Sequence, residues 1–320
     1  MNNAIFAKTS KLLSWSLQGC YPFSLFAKRS FADTESEVQP LISKHSYFSE
    51  LLYGLPKSLQ ILLYLLVSYQ VSTAQDIQKL NLDQEAKWSK KDLLFEDNGT
   101  EDWTQNWFLD GERAGLDNTP LGMYYSAGPE AKNDTCHAVL WTKQAFEGNL
   151  LIEFDYTRAD YSHGFVNILY FHATGKGGVD YPEDISQWNE KRRVPSMRTY
   201  FRNMNTYHIS FATGGADSDE DYIRLRRYDP SKSNRLTGSD IGPDKFNSGL
   251  FKPFHTYHIQ VAHHGHKTTM HIQNKNDSKD HLTLQWDTSG VPACKEGRIG
   301  LRHMYTRAAI YRDFKVWRIE

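Results

Sequence analysis

From residue 103 onward the chain is built of short apolar runs with period two, separated by clusters of Gly, Asn, Asp and Pro. Leu150-Leu151-Ile152-Glu153-Phe154-Asp155-Tyr156 shows the pattern clearly. Ile152, Phe154 and Tyr156 fall on one face, Glu153 and Asp155 on the other. Cys136 to Trp141 alternates in the same way, and Phe165 to His172 is nearly continuous, as suits a central strand. Further runs lie at Tyr207 to Ala212, Tyr222 to Tyr228, Tyr257 to His263, Lys267 to Gln273, His281 to Trp286, Arg298 to Met304 and Ala309 to Arg318. Val261 to Lys267 reads as a hairpin tip with Gly265 at the positive-φ position. About ten strands with no persuasive helix between them predict an all-β fold, an antiparallel sandwich or barrel. The polar stretch 175–199, which holds Tyr181, Pro182, Trp188, Arg192 and Arg193, predicts a long functional or mobile loop.

The pattern changes toward the N-terminus. Lys57 precedes the apolar run Leu59 to Val67, and Ser72 and Ala74 form a small-x-small site. Residues 55–74 therefore read as a secretory signal cut after Ala74, which predicts an exported, periplasmic or secreted protein. A membrane span needs about 20 apolar residues, so no stable membrane insertion is expected after cleavage. Residues 1–54 carry no clear periodicity and stand upstream of that signal, so they are expected to be an over-called start or an unstructured extension. Residues 75–90 form a polar linker, and the strands fill 91–320.

Composition narrows the function classes. The formal net charge is -1, so nothing electrostatic points to nucleic acid. Aromatic residues make up 13% of the chain, and such rings either stack on sugars or fill a sandwich core. Cys20, Cys136 and Cys294 have no C-x-x-C spacing, which argues against a zinc ribbon or a thioredoxin-type site. Cys136 and Cys294 either pair on export or remain two half-buried thiols.

Several segments, in a consistent order over roughly residues 100–318, resemble the YesU-like proteins. They are Glu101-Asp102-Trp103, His137-Ala138-Val139-Leu140-Trp141, Phe154-Asp155-Tyr156, Asn205-x-x-His208-Ile209-Ser210, Arg226, Gly300-Leu301-Arg302-His303-Met304 and Tyr311-Arg312-Asp313-Phe314. The resemblance implies a concanavalin A-like jelly roll. It also implies a setting among bacterial gene clusters that degrade rhamnogalacturonan and other uronate-rich polysaccharides. It supplies no catalytic residues, and the N-terminal extension and the longer loops at 175–199 and 228–250 depart from it.

Mechanism must then come from the residues. A glycoside hydrolase needs two carboxylates across the scissile bond. Glu153-Phe154-Asp155 begins the Glu-x-Asp-x-x-Glu strand of laminarinase-type sandwiches, but Arg158 stands where the last Glu belongs. β-Elimination from a uronate needs a cation against the carboxylate and a His or Tyr to take the C5 proton. His208 shares a strand face with Ser210, Arg226 with Arg224 and Tyr228, and His137 with Val139 and Trp141, while Arg302 alternates with Leu301 and His303. One face carrying His208 as acid or base and Arg226 as carboxylate partner would meet the requirement. His137, Arg302, Asn205, Trp141 and Trp188 would then bind substrate. Loss of a sugar would make the enzyme a lyase, and loss of a terminal 4-hydroxyl a dehydratase. The rival reading is a non-catalytic carbohydrate-binding module in which Trp141 and Trp188 dominate affinity.

No cofactor is expected. His255, His258, His263, His264, His266 and His271 are dense, but His263 and His264 point to opposite strand faces, which argues against a metal site. The acidic run Asp217 to Asp221 offers carboxylates to a structural calcium ion, yet it lacks the calcium-loop glycine and reads better as a solvated turn.

Overall fold

The computed structural model describes residues 88–320 except 163 and 213–220. The expectations for 1–54, the signal at 55–74, nearly all of the linker and most of the acidic run Asp217 to Asp221 lie outside the described residues.

Two antiparallel sheets face each other. Sheet A runs β13 (His281–Asp287), β12 (Lys267–Asn274), β11 (Thr256–His264), β6 (Leu150–Arg158), β15 (Ala308–Ile319), β4 (Gly122–Ser126) and β3 (Gly115–Thr119). Strand β1 (Lys90–Asp97) pairs with the second half of β15. Sheet B runs β10 (Asp240–Phe246), β9 (Tyr222–Tyr228), β8 (Met204–Phe211), β7 (Asn167–Gly175), β14 (Glu296–Met304), β5 (His137–Glu147) and β2 (Trp107–Asp110). The predicted all-β sandwich is the fold observed.

The core lies where the two inner faces meet, and the predicted alternation sets its members. Ile152, Phe154 and Tyr156 point inward from β6, as do Leu169 and Phe171 from β7 and Tyr207, Ile209 and Phe211 from β8. Aromatic edges lock it: Phe154 stacks on Phe314 with ring centroids 5.3 Å apart, and Trp107 meets Phe314 edge-on at 5.1 Å. Such pairs contribute about 0.5–1.5 kcal/mol each beyond the area they bury. Trp107 satisfies its indole N–H by donating to Asp97 at 2.7 Å. Gly265 takes φ 58° in the β11–β12 hairpin, and His263 is buried while His264 is exposed, both as the pattern predicts.

Three features depart from expectation. Strand β10 falls within the stretch assigned to a loop; it tolerates Pro243 because it is the edge of sheet B, where a missing N–H breaks no inner ladder. Strand β1 begins earlier than the first predicted run. Its first four residues are exposed, so the apolar period shows only in Phe95 and its partly buried neighbour Leu94. The stretch 175–199 is not an open loop. It holds a 3-10 segment, Ile185–Arg192, and leads into helix α1 (Met197–Asn203). Asp184 caps the former, accepting from the Ser186 amide at 3.0 Å.

Cys136 and Cys294 are both buried and free, so the pairing alternative is excluded for these two. Among the described residues no helix is long and apolar enough to cross a membrane, and no group of three His, Cys, Asp or Glu is arranged to hold a metal ion.

Candidate functional site

The outer face of sheet B is where the singled-out residues meet. Strand register sets a row across it: Phe108, Trp141, Gly300, Tyr170, His208, Arg226 and Asp240 stand side by side on consecutive strands. A second row one pair along carries Asp110, Val139, Arg302, Ile168, Ser210 and Arg224. His137 lies beyond Val139 on β5. His208, Arg226, Arg302, His137 and Trp141 thus share one face, as period two requires. Asn205 has the opposite parity on β8. It lines a separate groove of about 360 Å³ with Arg227 and Cys294.

Gly300 explains how the first row packs. A Cβ there would fall 2.5 Å from the Trp141 ring, so only glycine lets Trp141 lie across β14. The indole then stacks on Tyr170 at 5.5 Å, and Tyr200 of α1 joins from above, 5.9 Å from Tyr170 and 6.4 Å from Trp141.

The face is covered rather than open. Residues Ile185, Trp188 and Tyr200 of the covering segment form a second apolar cluster with Val139, Trp141, Ile168 and Tyr170 of the sheet. Fully buried Asp110 pins this cover. It accepts from Trp141 Nε1 at 2.7 Å, Arg192 Nε at 2.5 Å, Tyr200 Oη at 2.7 Å and Asn189 Nδ2 at 2.6 Å. Arg298 adds a clamp to Asp184 at 2.9 Å. Burial works against the Asp184 charge, but Arg298 and Ser186 hold its carboxyl down at about 2. Consequently Trp141 and Trp188, expected as sugar-stacking platforms, are 0% and 3% exposed. The faces of both rings are occupied: the Arg192 guanidinium lies 4.1 Å over Trp188.

Beneath the cover, Arg302 is fully buried and has no carboxylate partner among the described residues. Its Nη2 donates to His137 Nδ1 at 2.7 Å and to the Pro195 carbonyl at 2.5 Å, and its plane lies 4.7 Å over the Tyr200 ring. The Tyr170 hydroxyl lies beside the guanidinium, but among the described residues Nε and Nη1 have no acceptor in hydrogen-bond geometry, and His137 Nε2 has no partner. Burial, then the Arg302 charge, pushes His137 down to about 3, so it is a neutral imidazole. Tyr305 meets the His137 ring edge-on at 4.3 Å and Met304 pairs with His137 across the strands, and both are only partly buried.

His208 is also enclosed. Its Nδ1 bonds the Tyr228 hydroxyl and its Nε2 meets Ser210 Oγ at 2.6 Å. Burial, aided by Arg226, Arg302 and Arg224, holds it well below the usual histidine range. Burial likewise raises the Tyr228 hydroxyl well above the usual tyrosine value. Arg226, expected to hold a substrate carboxylate, is already engaged by Asp240 at 2.9 Å and by the Leu236 carbonyl and Ser239 Oγ at 3.3 Å.

Glu153 and Asp155 lie on the outer face of sheet A, away from this cluster. Burial raises each, but bonds from Lys90, Gln260 and Trp317 to Glu153 and from His258 and Lys275 to Asp155 outweigh it. Both carboxyls therefore sit below their usual values, and neither supplies the protonated acid a glycoside hydrolase needs.

The sequence reading missed Asp110, Tyr170 and Tyr200. Asp110 ends a four-residue strand and precedes Gly111, which reads as a turn. Tyr170 was hidden in a continuous apolar run. Tyr200 needed the helix, and seven residues amid a polar stretch carry no helical period that a sequence can show.

This geometry defines a two-sheet, lectin-like β-sandwich with a covered polar face. Residues 93–316 match the family model described as a domain of unknown function, DUF1961, and the chain belongs to that family. Solved structures similar to it include a protein of unknown function with galectin-like fold from Bacillus subtilis. That match has 17% identity and a TM-score of 0.54, and covers 72% of this chain and 98% of the other. A legume lectin-like domain from Entamoeba histolytica aligns at 8% identity, TM-score 0.47, over 72% and 100% of the two chains. The carbohydrate-binding module CBM66 from Bacillus subtilis aligns at 12% identity, TM-score 0.40, over 67% and 96%. No curated protein matches the chain.

Proposed function

We propose that the chain is a carbohydrate-binding sandwich that takes an acidic, uronate-type saccharide on the outer face of sheet B, with Arg302 as the anchor for the sugar carboxylate. The observation that carries this reading is the state of Arg302: fully buried, without a carboxylate, and with two nitrogens unpartnered. A buried charge left without its counter-charge costs on the order of 3–5 kcal/mol, so a site that keeps one is built to receive an anion. The guanidinium fork matches a carboxylate in two parallel bonds. His137 Nε2, unpartnered and carrying the proton, adds a donor beside it. The ligand takes the place of the Pro195 carbonyl, so the covering segment has to yield for it to enter.

β-Elimination is the second reading, favoured by one observation. His208 is kept neutral beside the Tyr228 hydroxyl, which is the condition for a proton acceptor. Binding stands first because both ring nitrogens of His208 are already bonded, to Tyr228 and Ser210, and Arg226 is already paired with Asp240, whereas Arg302 keeps two nitrogens free. The test exposes the protein to a panel of uronate and neutral polysaccharides, scoring retention by affinity electrophoresis and the ultraviolet absorbance of a conjugated C4–C5 double bond. Retention by uronate polymers without new absorbance is the expected result. New absorbance that His208→Ala abolishes would move the assignment to elimination, with product masses separating lyase from dehydratase. Retention by neutral polymers alone would remove Arg302 from the account.

A further inference from the structure

A second guanidinium is buried without a carboxylate, at a different place. Arg227, the last residue but one of β9, has the inward parity and is 7% exposed. Its Nε donates to the Pro292 carbonyl at 2.8 Å, its plane lies 5.8 Å over the Tyr207 ring, the Cys294 thiol lies beside the guanidinium, and its Nη1 has no partner among the described residues. No acidic side chain reaches it among the described residues, whereas the buried Arg158, Arg192 and Arg307 each have an aspartate.

Arg227 also lines a pocket of about 100 Å³ between the end of β9 and the 291–292 turn. Lys232 and Arg235 bring two more cations to its rim, and Ser233 and Ser239 bring hydroxyls. Its lining also holds two acids, Asp229 accepting from the Ser231 amide and hydroxyl and Asp240 paired with Arg226, so the three cations of the lining outnumber its carboxylates by one. The pocket is therefore net basic, lined by hydroxyl groups, and large enough for one small polyatomic ion but not for a sugar ring.

We propose that this pocket is a second, separate binding site, for a small oxyanion, with Arg227 as its buried anchor and Lys232 and Arg235 as its rim. Its anchor differs from that of the Arg302 face: Arg227 has the inward parity of β9 and Arg302 the outward parity of β14, although Phe201 and Tyr228 of the covered face also line the pocket. An oxyanion accepts from a guanidinium fork through two oxygens and leaves the others for the rim. The group could arrive as a free ion or as the charged substituent of a saccharide whose ring stays outside.

The test titrates sodium sulfate, and in parallel galacturonate, into the isotope-labelled full chain at constant ionic strength, following the arginine Nε–H resonances. A saturable shift of the Arg227 resonance is expected. Arg227→Lys, which keeps the charge but loses the fork, should abolish saturation. Because Arg227 is buried, Lys232→Ser with Arg235→Ser supplies a second variant at exposed positions, expected to weaken the apparent affinity several-fold while leaving the melting temperature unchanged. Tighter sulfate binding identifies a free ion, and tighter galacturonate binding a saccharide carboxylate; either supports the site. A linear shift equal to that produced by chloride would show general charge screening and overturn the proposal. So would saturation untouched by the rim variant. Arg302→Gln should leave this titration unchanged, which separates its outcome from that of the Arg302 face.

Discussion

Arg302 donates to His137 Nδ1 across 2.7 Å, and that one bond fixes His137 as the neutral tautomer with its proton on Nε2. The pair holds a cation and an unused N–H donor side by side in the interior of one face. Arg302→Met should therefore leave stability unchanged or raise it, because an apolar side chain of similar length relieves an unpaired buried charge. Urea denaturation checks this, and a loss of several kcal/mol would show that Arg302 is structural.

The buried histidines make stability depend on pH. His137, His263 and His303 are pushed to about 3 and His172 to about 4, in each case chiefly by burial, against an ordinary value of 6.5. The folded protein resists protons that the unfolded chain accepts. Their contribution is therefore fully present above about pH 6.5 and declines as pH falls toward 3–4, by about 1.4 kcal/mol per unit for each histidine that stays neutral. Melting temperature should drop steeply from pH 7 to pH 4.5. A flat profile over that window would mean that these rings protonate in place.

Asp110 should be the residue on which the cover depends. Asp110→Asn removes the charge that Arg192 faces and weakens the acceptor for Trp141 and Tyr200. Stability should fall by about 3–5 kcal/mol, the cost of stranding a buried charge. Limited trypsinolysis should then cut at Lys191 or Arg193 before the rest of the sandwich is attacked. Cleavage no faster than in the wild type would contradict the role given to Asp110.

Gly300→Ala tests the row itself. The added methyl meets the Trp141 ring at 2.5 Å, so the indole must shift off Tyr170. The expected cost is about 1–3 kcal/mol, read from the urea midpoint, with a changed tryptophan emission spectrum.

Much of this organisation was legible in the residues, for a physical reason. Period two is imposed by the pleat, so β5, β6, β8 and β14 announced both their existence and which side chains share a face. Period two fixed the parity of His208, Arg226, Arg302 and His137 within their own strands, but that β5, β8, β9 and β14 lie in one sheet was not legible and needed the strand order. Contacts made across the chain were not legible. Nothing local tells that Trp188 packs under Arg192 or that Asp110 gathers four donors from β5 and the covering segment. The polar stretch that reads as a loop at 175–199 is apolar where it matters, because Ile185 and Trp188, with Tyr200 just beyond it, are the buried side chains that pack on the sheet. Edge strand β10 was hidden by Pro243, which the sequence rules treat as a breaker and a sheet edge accommodates.

The most direct measurement is isothermal titration of the full chain with a trigalacturonate and with its methyl ester, repeated on Arg302→Gln. Saturable binding of the acid, much weaker binding of the ester, and loss of the acid's binding in Arg302→Gln at an unchanged melting temperature are the expected results. Equal binding of acid and ester, or binding that survives Arg302→Gln, would contradict the assignment of Arg302 as the anchor for an acidic sugar.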